Sequence, residues 1–149
     1  MITCSKLYKD IPFAHRQHLH DGHCSQIHGH NWDIKLTFSC KELDSTGFVV
    51  DFGKLKYIKK FIQDKLDHAC VLSWDDPLAK EMIDSAPEGI YKPYWVENAS
   101  CEGIAKHLFF EFTDLLKKAE GSRAWIQEIE IFEDSKNSVK YRPPMYEYI

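Results

Sequence analysis

From His30 to Cys40 the chain alternates without a break. Trp32, Ile34, Leu36, Phe38 and Cys40 take one side, and Asn31, Asp33, Lys35, Thr37 and Ser39 take the other. Successive side chains of a strand point to opposite faces, so this period of two predicts a half-buried β-strand. His28 and His30 share the parity of the apolar residues. A strand patterned this way needs a covering layer, and it carries two imidazoles to the rim of that layer.

Six of the eight histidines lie between His15 and His30, with Cys24 among them. Imidazole is the commonest protein ligand for metals. Residues 2–13 are predicted to form the antiparallel neighbour of the first strand, although their alternation is ragged. His15 follows at the parity of Ile11 and Phe13, and antiparallel pairing brings it beside His28 and His30. Gly29, between the other two, permits close backbone approach. Three imidazoles with no evident fourth protein ligand describe a catalytic zinc site with one open position. The alternative is that they are surface or capping residues. His18, His20 and His23 read as loop residues around the Asp21-Gly22 turn signal.

Cys24 has two readings. As a fourth ligand it makes the zinc site closed and structural. As a thiolate beside the metal it serves as a general base or nucleophile, because a nearby cation lowers a thiol's pKa. The ligand spacing lacks the tight pairs of zinc fingers, which favours the catalytic reading. Cys4, Cys40, Cys70 and Cys101 read as packed small hydrophobes.

The rest of the chain supplies the cover. Lys41 to Gly47 is turn-like, and Phe48-Val49-Val50 is a short apolar run. Asp51 reads as the N-cap of a helix to about Leu66, with Leu55, Ile58, Ile62 and Leu66 on one stripe. A second helix spans about 100–118, with Ile104, Leu108, Phe112 and Leu116 in register. Between them, residues 69–97 hold three of the six prolines, and Ser73 to Pro77 caps a short helix through about Ile83. A strand at 125–133, a polar turn from Asp134 to Asn137 and a strand around 138–142 complete the order.

Three acidic positions stand out. Asp67 precedes His68 at the end of the first helix. A carboxylate can orient an imidazole and raise its basicity, but a histidine at a helix C-terminus also suits the macrodipole. Glu133 shares the parity of Trp125, Ile129 and Ile131, so a carboxylate ends an apolar stripe. It either turns to solvent or meets a ligand bearing N–H donors. Glu102 lies in the first turn of the second helix, where an acid is structurally favourable.

Composition bounds the rest. A chain of 149 residues with 44% hydrophobic and 13% aromatic content suits one globular domain. A net charge of −4 argues against nucleic acid or an anionic membrane as the main partner. No apolar run reaches the roughly 18 residues of a membrane span. The N-terminal residues, broken by Lys6, Lys9 and Asp10, do not read as a signal peptide. Five cysteines, an odd count without a CxxC pair, suit free thiols in a reducing, cytoplasmic setting.

Taken together, these segments resemble the 6-pyruvoyl- and 6-carboxytetrahydropterin synthases. The resemblance runs through Phe-Ala-His at 13–15, Cys-x-x-x-His-Gly-His at 24–30 and Gly-Phe-Val-Val-Asp-Phe at 47–52. It continues with Leu-Asp-His at 66–68, Asn-Ala-Ser-Cys-Glu at 98–102 and Phe-Glu at 132–133. It implies an α+β tunnelling fold (ββααββ), with a four-stranded antiparallel sheet, two main helices on one face and an oligomeric barrel. By the same resemblance His15, His28 and His30 match the zinc (Zn2+) ligands, Cys24 the catalytic cysteine, and Asp67 and His68 a proton-relay pair. Glu133 matches the carboxylate that anchors a pterin ring, and Glu102 a second acid of that pocket. The resemblance further implies a pterin triphosphate substrate and a homo-oligomer with active sites between subunits. Three residues between cysteine and His-Gly-His are typical of the carboxy branch, which feeds queuosine and other 7-deazaguanines. Ala99-Ser100 departs from the family's usual Pro-Thr, and residues 69–97 are longer than compact members need.

Overall fold

The computed structural model describes residues 1–144. In chain order it contains β1 (Thr3–His15), β2 (His28–Cys40) and α1 (Lys56–Phe61), which widens into a π turn over Ile62–Leu66. There follow β3 (Cys70–Ser73), α2 (Pro77–Ser85), β4 (Pro93–Val96), α3 (Cys101–Glu120), β5 (Ala124–Phe132) and β6 (Ser138–Tyr141).

The sheet has six strands in the order β4-β3-β1-β2-β5-β6 and is mixed, which corrects the expected four-stranded antiparallel sheet. β1, β2, β5 and β6 pair antiparallel as expected. β3 and β4 come from the long inter-helix segment and add in parallel beside β1. The residues of β3 are buried throughout. A strand covered on both faces shows a continuous apolar run rather than alternation, so Cys70-Val71-Leu72 carried no period-two signal.

The ragged pattern of β1 has a local cause. Its register with β2 slips between Tyr8 and Ile11, and Asp10 takes a positive φ of 57°. The Asp33 carboxylate accepts a 2.8 Å hydrogen bond from the Asp10 amide. This bulge moves the inward face from even positions (Tyr8) to odd ones (Ile11, Phe13, His15). A second slip, between Thr37 and Phe38 of β2 in its pairing with β5, makes Ile126 inward instead of Trp125. The expected parity of Glu133 with Trp125 therefore fails, while its parity with Ile129 and Ile131 holds.

Asp51 caps as read, accepting from the Gly53 amide, but a short 3-10 turn (Phe52–Lys54) precedes α1. Leu55, Ile58, Ile62 and Leu66 are buried, as are Ile104, Leu108, Phe112 and Leu116 of α3. These two helices share one apolar cluster with Trp32, Ile34, Leu36 and Phe38, so they cover the same face of the sheet. Among the described residues no helix is long and apolar enough to cross a membrane.

Candidate functional site

The β1–β2 ladder assembles the histidines. His15 is the register partner of His28, and Phe13 that of His30, so three rings meet at one end of the pair. Ring centroids lie 4.6 Å (His15–His28), 5.0 Å (His28–His30) and 5.6 Å (His15–His30) apart. Trp32 forms the floor. It is fully buried, lies edge-on to His15 and His30, and donates its indole N–H to the Phe13 carbonyl at 3.0 Å.

Each of two rings has one nitrogen committed. His15 Nδ1 is 2.7 Å from the Ala99 carbonyl, and His28 Nδ1 is 2.7 Å from the Gln26 carbonyl. A carbonyl only accepts, so both Nδ1 atoms carry the proton and both Nε2 lone pairs face the cluster. Metal-binding histidines are oriented this way by outer partners. Burial lowers the His15 pKa below its usual value, with His28 adding to the effect and the Ala99 carbonyl opposing it. The neutral ring, the form that binds metals, is thereby favoured.

Glu133, just past β5, completes the group. One donor atom from each of His15, His28, His30 and Glu133 lies within 4.8 Å of the others. Glu133 Oε1 is 3.2 Å from His30 Nε2 and 3.6 Å from His15 Nε2. Both nitrogens are nevertheless shut from solvent without a hydrogen bond. Leaving a buried polar atom unpaired costs about 1–3 kcal/mol. Converging lone pairs at a half-buried, carboxylate-edged site fit a divalent cation, and these N and O donors suit a borderline metal.

Among the described residues Cys24 does not belong to that group. It sits in the short turn His23–Ser25 and lines a cavity of about 400 Å3 with His15, His28, Glu102 and Glu133. The structure thus gathers five of the predicted residues in one cavity, with Glu133, not the thiol, as the fourth neighbour of the imidazoles. His18 lies 3.5 Å from Asp75, and His20 Nδ1 accepts from the Gly22 amide; neither joins the cluster.

Asp67 and His68 form a pair, with Nδ1–H donating to the carboxylate at 2.5 Å. They follow the π turn, a distortion often found at functional positions. His68 has a φ of 64°, its amide donates to the Pro12 carbonyl at 2.7 Å, and its side chain is 82% exposed. It lines a separate open recess with Phe13, Gly29 and His30. A single chain does not bring His68 into the cavity of Cys24.

Arg16 and Lys92 escaped the sequence reading, and Asp76 was read only as part of a helix cap, which it is. Arg16 and Asp76 join the histidine loop to α2, and Lys92 donates to the Asp67 carbonyl at 2.7 Å. The Asp-Pro cap at 76–77 was a visible signal, but nothing in the sequence names its distant partner. Gly103 is also fixed, since a Cβ there would stand 2.0 Å from the Asn98 carbonyl oxygen.

A family model described as 6-pyruvoyl tetrahydropterin synthase matches residues 5–144. A protein of Rickettsia bellii named 6-carboxy-5,6,7,8-tetrahydropterin synthase is 30% identical, covering 89% of this chain and 94% of the relative. A Haemophilus influenzae protein of the same name is 38% identical, covering 70% of this chain and 79% of the relative. The structure of Caenorhabditis elegans 6-pyruvoyl tetrahydropterin synthase superposes with a TM-score of 0.65, at 24% identity, covering 96% of each chain.

Proposed function

Because the chain belongs to the 6-pyruvoyl tetrahydropterin synthase family, we propose that it is a zinc-dependent carbon–carbon lyase acting on 7,8-dihydroneopterin triphosphate. With one water consumed, its products are 6-carboxy-5,6,7,8-tetrahydropterin, acetaldehyde and triphosphate, a step toward queuosine and other 7-deazaguanines. The observation that carries this reading is the convergence of His15, His28 and His30 on Glu133, with His15, His28 and Glu133 also lining one cavity beside Cys24 and Glu102. The names of the relatives and the three-residue gap between Cys24 and His28 favour the carboxy product.

His15, His28 and His30 hold the zinc ion. When bound, zinc supplies a Lewis acid that polarises substrate oxygens and stabilises developing negative charge. Cys24, on the cavity wall, takes a proton from the substrate side chain. Asp67 holds the Nδ1–H of His68, which leaves Nε2 free for the complementary transfer. Glu133 and Glu102 face the cavity as acceptors for pterin N–H groups.

His68 and Cys24 face different recesses of one chain, so assembly is part of this reading. A neighbouring subunit supplies the Asp67–His68 pair, and the protein is a homo-oligomer whose strands continue into a barrel. In this reading the described residues, 1–144, belong to one domain, and the five free thiols suit a cytoplasmic location.

Incubation with 7,8-dihydroneopterin triphosphate and mass analysis of the pterin tests the reaction. The carboxy product is expected; the pyruvoyl product assigns the other branch, and an unchanged substrate overturns the lyase. Cobalt substitution tests the ligand set, because a thiolate–cobalt charge-transfer band would make Cys24 a structural ligand.

A further inference from the structure

The loop from Arg16 to Ile27 carries Cys24, and little within it fixes the thiol. The turn His23–Ser25 buries no residue and has no side-chain cap. Backbone bonds such as Gln26 N to His23 O and Gln17 N to Cys24 O close the loop on itself without tying it to the core.

Two side chains tie the loop to the core near the thiol: the His28 ring meets the Gln26 carbonyl, and the Arg16 guanidinium reaches the carbonyl next to Cys24. Arg16 leaves β1 directly after His15, where β1 is already paired with β3. Its Nη1 donates to the Ser25 carbonyl, one residue beyond Cys24, at 2.8 Å. Its Nε and Nη2 donate to the two oxygens of Asp76 at 2.6 and 3.1 Å. The Asp76 side chain is 0% exposed and also accepts from the Leu78 and Ala79 amides of α2. A buried carboxylate with four donors has one orientation, and a two-pronged guanidinium–carboxylate pair transmits that orientation to the third donor.

We propose that Arg16 and Asp76 are positioning residues for Cys24, and that the inserted β3–α2 segment serves as the anchor that holds the catalytic thiol in place. The proposal rests on the reading of Cys24 as the base. A purely structural ion pair would stabilise α2 and the loop without affecting the thiol's placement, so the two roles separate experimentally.

The test uses the full-length, zinc-loaded protein and three variants. Asp76→Asn keeps an N-cap acceptor for α2 but removes the charge. Arg16→Lys keeps the charge but loses the fork. Ala79→Gly loosens α2 and leaves the carboxylate intact. Three quantities are read: Cys24 alkylation by iodoacetamide, followed by peptide mass; kcat and KM; and zinc content. Asp76→Asn and Arg16→Lys are expected to speed Cys24 alkylation about tenfold. They are also expected to lower kcat by about 100-fold, the scale of an ångström-sized misplacement, with KM and zinc content little changed. Ala79→Gly is expected to leave alkylation and kcat as they were.

Unchanged alkylation in Asp76→Asn and Arg16→Lys overturns the proposal, as does an equal loss of kcat in Ala79→Gly. Full turnover by Cys24→Ala would remove the base assignment instead, and the alkylation rates would still decide whether the clamp sets the loop.

Discussion

Two histidine sites in this molecule are built in opposite ways. At the ends of β1 and β2, three rings are locked by strand register, floored by a buried tryptophan, and two of them are oriented through backbone carbonyls. At the corner after the π turn, His68 stands exposed at positive φ, held by its own amide and by Asp67. The first cluster is gathered within one chain. The second presents a free Nε2 outward, an arrangement that makes sense where another surface comes to meet it. In the proposed reading, binding the metal and moving the proton fall to parts held in different ways, one buried against the sheet and one exposed at a corner.

The largest effect separates the two sites at once. His28→Ala removes one of the converging lone pairs, and metal affinity is expected to fall by more than the 10- to 100-fold typical of losing an outer partner. Competition with a chromophoric chelator measures it, and far-UV circular dichroism shows the sheet retained. His68→Ala is expected to leave that affinity unchanged. If His68→Ala released the metal, the contrast drawn here would fail.

The next effect runs the other way. Asp67→Asn frees the His68 ring from its orienting carboxylate, and kcat is expected to drop on the order of 100-fold or more with metal content intact. Steady-state kinetics on metal-replete protein is the measurement. Mixing a Cys24→Ala variant with a His68→Ala variant adds a sharper form. If neighbouring subunits share a site, the mixed oligomer regains part of the activity that each parent lacks.

The same contrast explains what could be read from the sequence. Strand parity is local and regular, so His28, His30 and the inward face from Trp32 to Phe38 were legible from alternation alone. His15 was placed correctly because the bulge at Asp10 lies upstream of it, leaving Ile11, Phe13 and His15 in phase. Trp125 was misplaced because the second slip falls between it and Ile129. β3 leaves no alternation because it is buried on both faces, β4 is a four-residue edge strand that starts at a proline and is too short to show a period, and the grip of Arg16 on Asp76 spans sixty residues with no periodic trace. That Glu133 stands beside the imidazoles depends on where β5 stops against β2. The parity of Ile129 and Ile131 gave its side but not its depth.

A smaller effect probes how the rigid site is held from behind. Gly103 packs against the Asn98 backbone, next to the Ala99 carbonyl that orients His15. A methyl group there must displace backbone, which costs about 1–3 kcal/mol for overpacking. Gly103→Ala is expected to lower the thermal midpoint and to weaken metal binding about tenfold through the disturbed carbonyl. Loss of stability with unchanged affinity would show that the Ala99 contact does not tune the ring.

The smallest effect asks whether burial alone makes a histidine a ligand. His107 on α3 is largely buried, and burial lowers its pKa, with Glu111 opposing. In both respects it matches His15. Its Nε2, however, is already hydrogen-bonded with the Tyr94 hydroxyl at 2.7 Å, so this nitrogen is engaged rather than open to a cation. A group with a depressed basic pKa stays neutral in the folded state while the unfolded chain takes a proton. Stability of the metal-free protein should therefore fall as pH drops through about 6.5, the ordinary histidine value. His107→Gln should flatten that slope without changing metal affinity at pH 7.5. Urea unfolding between pH 7.5 and 5.5 reads the first, and chelator competition reads the second. An altered affinity would mean that burial, rather than the unpaired Nε2 atoms of His15 and His30, was the wrong feature to set aside.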